Sequence, residues 1–472
     1  MADRRIPKTG KRKELKILPS AGGIDPQLEK AGRGRVRGMR GFTLVWAGQI
    51  LSVLATQMTS FALTIWIFQE TGSATALGLM QVFWVTPFLL ISPFAGVMVD
   101  RYNRKMMMMV SDIGAGAATV VLLILQLLGR LEIWHLYVVM VFQGLGNAFQ
   151  TPAYLAAISS MLPKEHYGRA NGMMSLIDSG PGILAPLLGG ALLGIIHLYG
   201  ILIIDVLTFG LAILILIFVS IPQPVKTEEG QKKRGGILKE ALYGLQYIWL
   251  RPSLTGLTVS FLFINLFGGI ALTLFAPLVL ARTQNNSLVL GTVQSAGAIA
   301  GVAGGVLMSV WGGLKRRIDS GYLGVLIASL LGIAVYGFGK TPLFWVFGIA
   351  TFSLMSPVLG GSIQAIWQAK VAPDVQGRVF STRRLITWVT TPITPIIAGL
   401  LVDYVLEPAM QSQNWLSHTF GGLFGSEPGS GIGLLVFVCG LGAAGVGILS
   451  YMIPSIRNVE ELLPDHNQDR PG

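Results

Sequence analysis

Long uncharged segments alternate with short charged ones along most of the chain. Asp, Glu, Lys and Arg are all absent from, among others, six segments of 28 or more residues. About 20 helical residues cross the hydrocarbon core of a bilayer, so each segment is long enough to span a membrane. Lipid offers no hydrogen-bond partner to a free backbone group, and the segments are therefore predicted to be helices. They are residues 42–69, 71–99, 252–281, 283–314, 341–369 and 428–456.

Shorter apolar segments complete a pattern of twelve predicted spans. The spans are 42–69, 73–99, 106–128, 133–162, 170–195, 199–221, 252–281, 286–313, 319–339, 342–370, 384–402 and 431–454. The pattern predicts an all-α integral membrane protein with two pseudo-symmetric six-helix halves, residues 42–221 and residues 252–454. Only 12% of the residues are charged, against about 25% in ordinary soluble domains, and this composition excludes most soluble folds.

The placement of the positive charges predicts the topology. The net charge is +12, which by itself would suit a nucleic-acid partner. Of the 35 Lys and Arg residues, however, only Arg130, Arg282 and Lys340 fall on the side of the predicted spans that does not carry the termini. Cytoplasmic loops carry such an excess of positive charge. We therefore expect a multi-pass protein of the cell inner (plasma) membrane with both termini in the cytoplasm, and no nucleic-acid partner.

Three segments lie outside the predicted halves. Residues 1–41 are basic and glycine-rich, which predicts a disordered cytoplasmic arm that can touch anionic membrane lipids. Residues 222–251 form a predicted cytoplasmic linker. Within it, the apolar residues from Ile237 to Trp249 recur every three or four positions, as in an amphipathic helix at a membrane surface. Residues 455–472 are expected to form a cytoplasmic tail.

The two predicted halves share an internal repeat. A single offset of 209 residues relates several Gly, Arg and Pro positions of the first half to the same residue type in the second. The pairs are Gly168 with Gly377, Arg169 with Arg378, Pro186 with Pro395, and Gly190 with Gly399. The charged loop at 100–105 is echoed at 312–317, although Gly312 stands where the first loop has Asp100. Repeats at equivalent positions of a membrane protein indicate duplication.

The loop after the second span carries the most specific motif, Gly96-Val-Met-Val-Asp100-Arg101-Tyr-Asn-Arg104-Lys105. It resembles the G-x-x-x-D-R-x-x-R-[RK] loop of the major facilitator superfamily at every defining position. The resemblance implies a fold of six plus six helices around a central cavity that works by alternating access. Gly96 permits close helix packing, and Asp100 can accept charge-assisted hydrogen bonds from nearby arginines. We expect this loop to be a latch that biases two conformations.

The fifth span carries a second resemblance, to the antiporter signature G-x8-G-x3-G-P-x2-G-G of the same superfamily. The matching positions are Gly172, Pro186, Gly189 and Gly190, whereas Pro181 and the alanine before Pro186 replace glycines of the signature. Small residues and proline at this spacing favour a helix that bends and packs closely. The resemblance implies a hinge that commits the protein to export, and generic small-residue packing is the alternative.

The fourth span departs from the proton-coupled members of the superfamily. Those members often have R-x-x-Q-G there, with the arginine implicated in coupling, whereas this chain has Met140-Val-Phe-Gln143-Gly144. The missing arginine, and the sequence Gly-Arg-Ala-Asn-Gly-Met-Met that begins at Gly168, resemble the macrolide-efflux and enterobactin-exporter-like branch. The resemblance implies a monomeric secondary transporter that exports small amphipathic molecules, drug-like, macrolide-like or siderophore-like, in exchange for protons. Uptake or facilitated diffusion, and a non-transporting sensor or scaffold, remain as alternatives; an enzyme is not expected.

Three aspartates fall within the predicted spans of the first half. Acidic residues within a membrane are costly and commonly functional. Burial favours the protonated form of a carboxylate, so such a group can load and release a proton. At 1.5 Å per residue, Asp178 lies nearest the midplane. We rank Asp178 first as proton-coupling residue, Asp205 second and Asp112 third, and we expect Asp112 to pair with Arg104 or with the arginine pair that opens span eleven.

Polar residues on apolar spans are the expected lining of a central cavity. Gln49, Ser52 and Gln57 recur near helical spacing on the first span. Asn265 on the seventh span and Trp388 on the eleventh, where the indole can stack on a bulky ligand, are expected to complete it. The histidines are scattered and one cysteine is present, so no metal site is predicted. No nucleotide-binding or catalytic pattern occurs, and no cofactor is expected.

Overall fold

Helices form almost all of the described part of the protein in its computed structural model. The structure describes residues 38–162, 167–221, 244–371, 375–412 and 414–463. The longer helices are α1 (Gly38–Thr71), α2 (Ala74–Arg101), α3 (Arg104–Leu127), α4 (Ile133–Met161), α5 (Tyr167–Phe218), α6 (Pro252–Arg282), α7 (Ser287–Trp311), α8 (Arg317–Phe338, with a π-type segment at Ala328–Ala334), α9 (Pro342–Lys370), α10 (Gln376–Trp388), α11 (Thr394–Leu401), α12 (Trp415–Phe424) and α13 (Ser430–Met452). A π-type segment, Val402–Leu406, extends α11, and the short helices are Glu407–Gln411, Pro454–Arg457 and Val459–Leu462.

Every one of the twelve predicted spans falls on a helix. Nine of the described helices are long and apolar enough to cross a membrane. The helix α5 contains both the fifth and the sixth predicted span, because its two arms join at His197, whose backbone angles (φ 54°, ψ −177°) are not helical. The eleventh span is divided, since α10 ends at Trp388 and α11 begins only at Thr394.

Local sequence sets several helix ends. The Ser73 hydroxyl accepts a hydrogen bond from the backbone N–H of Ala76 at the start of α2, and the Asn103 side chain does the same for Met106 at the start of α3. Caps of this kind satisfy N–H groups that have no partner within the helix. Both α6 and α9 begin with proline, whose fixed φ suits the first turn. Gly312 caps the end of α7, and its φ of 73° favours glycine.

Two pairs of helices form the main contacts between the halves, α5 with α7 and α2 with α11. Backbone packs directly on backbone at both interfaces. A Cβ atom at Gly291 would lie 2.3 Å from the carbonyl oxygen of Pro186, and one at Gly78 would lie 2.6 Å from the carbonyl oxygen of Pro395. Pro186 and Pro395 are equivalent positions of the 209-residue repeat, so the same repeat position builds both interfaces.

The end of the described chain packs on the second half. The chain enters the bundle at Gly38 and leaves it near Leu463 on the same side, here called the terminal face; the other side is the opposite face. We call residues 454–463 the C-terminal clasp. The side chains of Arg316 and Lys370 donate to its backbone carbonyl oxygens. The loop 312–317, which lacks the acid of the first-half loop, therefore has hydrogen-bond acceptors in the clasp.

The predicted arm, most of the linker and the last part of the tail lie outside the described residues. Helix α1 begins at Gly38, inside the predicted arm. Of the predicted amphipathic helix, residues 244–249 are described and helical, and Ile248 within them is buried. This part of the linker therefore packs against the second half. Ile248 belongs to the same apolar core as residues of that half.

Candidate functional site

A central cavity of about 560 Å³ is lined mainly by α1 to α4, with α6 and α7 on its other side. Its wall is rich in amide and hydroxyl side chains. The amides belong to Gln49, Gln57, Gln81, Gln143, Asn147, Gln150 and Gln294, and the hydroxyls to Ser52, Thr56, Ser60, Thr64 and Thr273. The aromatic side chains are Phe61, Trp84 and Phe209, and Asp112 is the carboxylate of the wall. Polar groups beside apolar surface are the usual composition of a small-molecule site.

Asp112 is joined to amide side chains from two neighbouring helices. Nε2 of Gln49 on α1 donates to Oδ2 of Asp112 at 3.0 Å, and Nε2 of Gln150 on α4 donates to Oδ1 at 2.5 Å. Gln150 also donates to Oε1 of Gln49 at 2.9 Å. Asp112 is only 4% exposed, yet it lines the cavity. The cluster therefore presents a buried carboxylate, with both oxygens hydrogen-bonded, to a ligand in the cavity.

Asp205 lies behind the same wall, on the second arm of α5. Its carboxylate is 1% exposed, and its Oδ1 accepts a hydrogen bond from the Thr56 hydroxyl at 2.9 Å. Thr56 in turn lines the cavity. Seven residues, or about 10.5 Å of helix, separate Gln49 from Thr56 along α1. The two aspartates are therefore held at two levels of one wall, Asp112 nearer the terminal face and Asp205 nearer the opposite face.

A second cavity of about 340 Å³ lies in the other half and shares Gln81 and Leu272 with the first. Its polar groups are uncharged amides and hydroxyls. They belong to Gln81, Asn265, Ser329, Ser356, Thr387, Thr390, Thr391 and Thr394, and Trp388 adds an indole. The guanidinium of Arg384 lies 4.2 Å above the Trp388 ring, a distance at which a cation is attracted to the aromatic face. The two cavities together give the molecule one acidic and one neutral polar compartment.

The residues predicted to line a cavity divide between these two compartments. Gln49, Ser52 and Gln57 line the first cavity, and Asn265 and Trp388 line the second. Sequence reasoning missed the contribution of the fourth span, where Gln143, Asn147 and Gln150 all face the first cavity. Their spacing of four and three residues would have identified this polar face, because such positions share one side of a helix.

The structure gives a different result for each of the three aspartates that were predicted to carry protons. The expected pairing of Asp112 with an arginine is wrong, because its partners are Gln49 and Gln150. Asp205 has a threonine partner at the cavity wall. Position 178 lies on α5, but the surroundings of the Asp178 side chain are outside the described part of the structure, so its ranking stays a prediction. No group of three His, Cys, Asp or Glu side chains within the described residues is arranged to hold a metal ion.

The charged loop between α2 and α3 is only partly described. The side chains of Asp100 and Arg101 and the surroundings of Gly96 lie outside the described part. Lys105 is described, and its Nζ donates to the carbonyl oxygens of Ile217 at 3.0 Å and Val219 at 2.7 Å. Lys105 therefore ties the start of α3 to the end of α5, at the terminal face of the first half. Arg104 is the first residue of α3, and the latch stays a prediction.

The antiporter-type segment of α5 faces the second half. Pro181, Pro186, Gly189 and Gly190 are all buried, and the surroundings of Gly172 are outside the described part. A Cβ atom at Gly190 would lie 2.7 Å from the carbonyl oxygen of Ser287 on α7. Close approach of two backbones requires a residue without a side chain at such a point. The segment is thus a helix contact between the halves.

Hydrogen bonds reinforce both contacts between the halves. The Ser287 hydroxyl donates to the carbonyl oxygen of Gly190 at 3.0 Å, and the Ser295 hydroxyl donates to that of Ile183 at 2.7 Å. At the other interface, the Asp403 carboxylate accepts three hydrogen bonds from residues 73–75. These five bonds lie towards the opposite face, since α2 and α7 both begin there. The cavities lie between them and the terminal face.

The comparison with known families decides what this architecture is. The model of the Major Facilitator Superfamily matches residues 45–406 of the chain. The chain belongs to the major facilitator superfamily. Membership confirms the predicted all-α membrane fold with its twelve-helix architecture, and it confirms a transporter rather than an enzyme.

Individual members of the superfamily resemble the chain at low identity. Macrolide efflux protein A of Streptococcus pyogenes is 27% identical over 373 residues, which cover 77% of this chain and 90% of the relative. Multidrug resistance protein MdtG of Escherichia fergusonii is 28% identical over 355 residues, covering 72% and 83%. The enterobactin exporter of an Escherichia coli strain is 24% identical over 351 residues, covering 72% and 79%. The resemblance to the macrolide-efflux and enterobactin-exporter branch is confirmed.

Solved structures of superfamily transporters share the fold. A bacterial homologue of the human lysosomal transporter Spinster, in an inward-facing and unoccupied conformation, has a TM-score of 0.62 at 16% identity, with 88% of this chain and 97% of that chain covered. The nucleoside transporter NupG has a TM-score of 0.63 at 11% identity, with 88% and 100% covered. At these identities the similarity establishes the fold alone.

Proposed function

We propose that this protein exports small amphipathic molecules across the cytoplasmic membrane by alternating access. The observation that carries the proposal is the first cavity, where seven amide side chains and one buried carboxylate lie beside aromatic surface. Such a wall suits a ligand with an apolar body and several oxygen or nitrogen atoms. Drug-like, macrolide-like and siderophore-like compounds have this character, and the names of the relatives point the same way.

The proposed orientation follows from the positive charges. With the terminal face in the cytoplasm, the Lys and Arg residues obey the positive-inside rule, and the contacts between the halves near Ser73 and Ser287 close the outer side. Rocking of one half on the other around glycine contacts such as Gly190 and Gly291 would expose the cavity alternately to each side. Both walls of the cavity come from one chain, so a monomer suffices. The Asp100 loop is proposed as the latch on the cytoplasmic side.

Proton entry is the proposed driving force. Asp112 forms part of the cavity wall, where it can bind either a proton or a basic group of the substrate, and binding of one displaces the other. That exchange is the minimum requirement for antiport, because the two ligands need only compete for one site that faces the two sides in turn. Asp178 stays in the proposal as a further proton carrier.

The experiment is drug export into everted membrane vesicles that contain the protein. Energised vesicles should accumulate a fluorescent amphipathic drug, and a protonophore should abolish the accumulation. The Asp100→Asn variant should insert normally and transport more slowly, because the latch has lost its charge. Vesicles without the protein provide the baseline. Accumulation that survives the protonophore would contradict proton coupling, and no difference from the baseline with a broad panel of compounds would contradict export.

Facilitated diffusion in the same fold is the second candidate function. Met140 lines the cavity at the position where proton-coupled members often have arginine. The missing arginine favours facilitated diffusion. A facilitator would equilibrate the drug across the vesicle membrane without accumulating it, and the protonophore would have no effect on the rate. The same vesicle experiment therefore distinguishes the two candidates.

A further inference from the structure

Asp205 is a buried acid that the cavity itself does not use. It is 1% exposed and lies among α1, α3 and the second arm of α5. The polar side chains that interact with its carboxylate are three hydroxyls, and together with the acid they form what we call the Asp205 cluster: Asp205, Thr56, Thr59 and Thr119. No Lys, Arg or His of the described residues forms an ion pair with Asp205. A buried carboxylate without a positive partner is costly, so the surroundings must neutralise it in another way.

Two oxygen atoms of the cluster are buried and make no hydrogen bond of normal length and angle, although the Thr59 hydroxyl lies beside the carboxylate. They are Oδ2 of Asp205 and the hydroxyl oxygen of Thr59. The Thr56 hydroxyl occupies only Oδ1, and the Thr119 hydroxyl donates weakly, at 3.3 Å, to a backbone carbonyl oxygen of its own helix. Unpaired oxygens are rare in the interior of a protein, because each one loses its hydrogen bonds with water. A positive ion between them would satisfy both.

The composition of the cluster indicates which ion fits. All five side-chain oxygens are hard ligands, which suit alkali and alkaline-earth ions and not the softer transition metals. One carboxylate balances one positive charge, whereas a divalent ion would leave an unbalanced charge in the membrane interior. We propose that the Asp205 cluster is a binding site for a monovalent cation, and specifically for Na⁺, reached from the first cavity past the Thr56 hydroxyl.

The neighbouring Asp112 cluster shows the contrast. Both oxygens of Asp112 accept hydrogen bonds from amide N–H groups of Gln49 and Gln150. Those N–H groups point their positive ends at the carboxylate and would repel a metal ion. A substrate amine or a proton can use Asp112, whereas a small cation is directed to Asp205. The site contains no His or Cys, which is why the spacing of those residues in the sequence gives no sign of it.

The test measures Na⁺ binding to the purified full-length protein and does not depend on drug export. Radioactive ²²Na⁺ is titrated in choline chloride at constant ionic strength, and thermal unfolding is compared in NaCl, KCl and choline chloride. We expect saturable binding of one Na⁺ per chain and stabilisation by Na⁺ over K⁺ and choline. Asp205→Asn should abolish both effects. Thr59→Val should weaken Na⁺ binding about tenfold, the effect of losing one polar contact to a charge.

Asp112→Asn is the matched control, because it removes an acid of the same wall outside the cluster and should leave Na⁺ binding unchanged. Folding of each variant is checked by size-exclusion chromatography. If Asp205→Asn does not fold, the Thr59→Val variant decides, and an unchanged Na⁺ affinity in it would overturn the proposal. Binding retained in a folded Asp205→Asn variant would also overturn it. Stabilisation that follows pH and ignores Na⁺ would identify a proton site and reject the metal ion.

Discussion

The Asp403 carboxylate and the Ser73 hydroxyl form a hydrogen bond of 2.6 Å that crosses from the second half of the protein to the first. The same carboxylate accepts hydrogen bonds from the backbone N–H groups of Ala74 and Thr75, the first residues of α2. An acid at a helix N-terminus satisfies free N–H groups and is favoured by the helix dipole. Asp403 is therefore a helix cap that the other half supplies, and it can form only while the two halves are together at this face.

Removal of this cap should favour opening at the opposite face. Asp403→Ala loses three hydrogen bonds to a charged group, and we expect a cost to the closed conformation of about 2 kcal/mol. The measurement is the rate at which a membrane-impermeant maleimide labels a cysteine introduced at Thr64, a cavity residue, in a Cys439→Ser background. Labelling should accelerate about tenfold or more. The exposed neighbour Tyr404→Ala is the control, and equal labelling of the two variants would contradict the role of the cap.

Asp112 should control the pH dependence of transport. Asp112→Asn keeps the shape of the side chain and its contact with Gln49 but cannot exchange a proton. We expect a transport rate that no longer varies with pH and binding of a basic drug that is weaker by about tenfold or more, the effect of losing a charged partner. Asp178→Asn is measured in parallel. If Asp178→Asn alone flattens the profile, the proton site is there and Asp112 serves only the substrate.

The two helix contacts between the halves should tolerate no added atom. Gly291→Ala would place a Cβ atom 2.3 Å from the Pro186 carbonyl oxygen, whereas Gly305→Ala on the same helix would meet nothing within 4 Å. Overpacking of this kind costs about 1–3 kcal/mol. We therefore expect Gly291→Ala to lose most drug export at normal expression and Gly305→Ala to behave as wild type. Equal export by both variants would show that the contact at Gly291 does not limit transport.

The C-terminal clasp should be required for the stability of the second half. Lys370 is only 4% exposed, and its ammonium group donates to the carbonyl oxygens of Glu460 and Leu463. Truncation after Met452 removes these two acceptors, and the loss of a hydrogen bond to a buried charged group costs about 1.5–3 kcal/mol. The melting temperature in detergent should fall clearly, while truncation after Leu463 should leave it unchanged.

A second substitution separates the charge from the packing of the clasp. Lys370→Met in the protein truncated after Met452 no longer buries a charge, so part of the lost melting temperature should return. If the truncated protein with Lys370→Met is no more stable than the truncated protein without it, the clasp acts through its apolar contacts. Those contacts include Ile456, which is buried against α6 at Gly256.

Much of the fold could be predicted because the membrane restricts what a chain can do. The uncharged segments had to be helices. The sequence repeat also identified Pro186 and Pro395 as equivalent positions, without any knowledge of the contacts that each makes with the other half. The break at His197 was also placed correctly between two predicted spans, although the backbone there remains nearly continuous helix. These features depend on local sequence and on the thickness of the bilayer.

The partners of polar side chains could not be predicted in the same way. Whether Asp112 meets an arginine or a glutamine depends on how α1, α3 and α4 are rotated about their axes, and small differences in hydrophobicity around a uniformly apolar helix do not fix that rotation. The clasp escaped prediction for a related reason. A charged segment after the last span resembles a solvated tail, and only the tertiary structure shows that Lys370 and Arg316 need its carbonyl oxygens.

The clasp also has a consequence for biosynthesis. Helices α6 to α13 leave the ribosome before residues 454–463 do, so the side chains of Arg316 and Lys370 enter the assembling bundle before the clasp acceptors exist. Until then water or lipid head groups at the membrane surface take the place of the clasp acceptors. The second half therefore completes its packing at the terminal face as one of the last events of translation. A stalled or shortened chain would be recognisable to quality control by an exposed Lys370 ammonium group, which the finished protein buries.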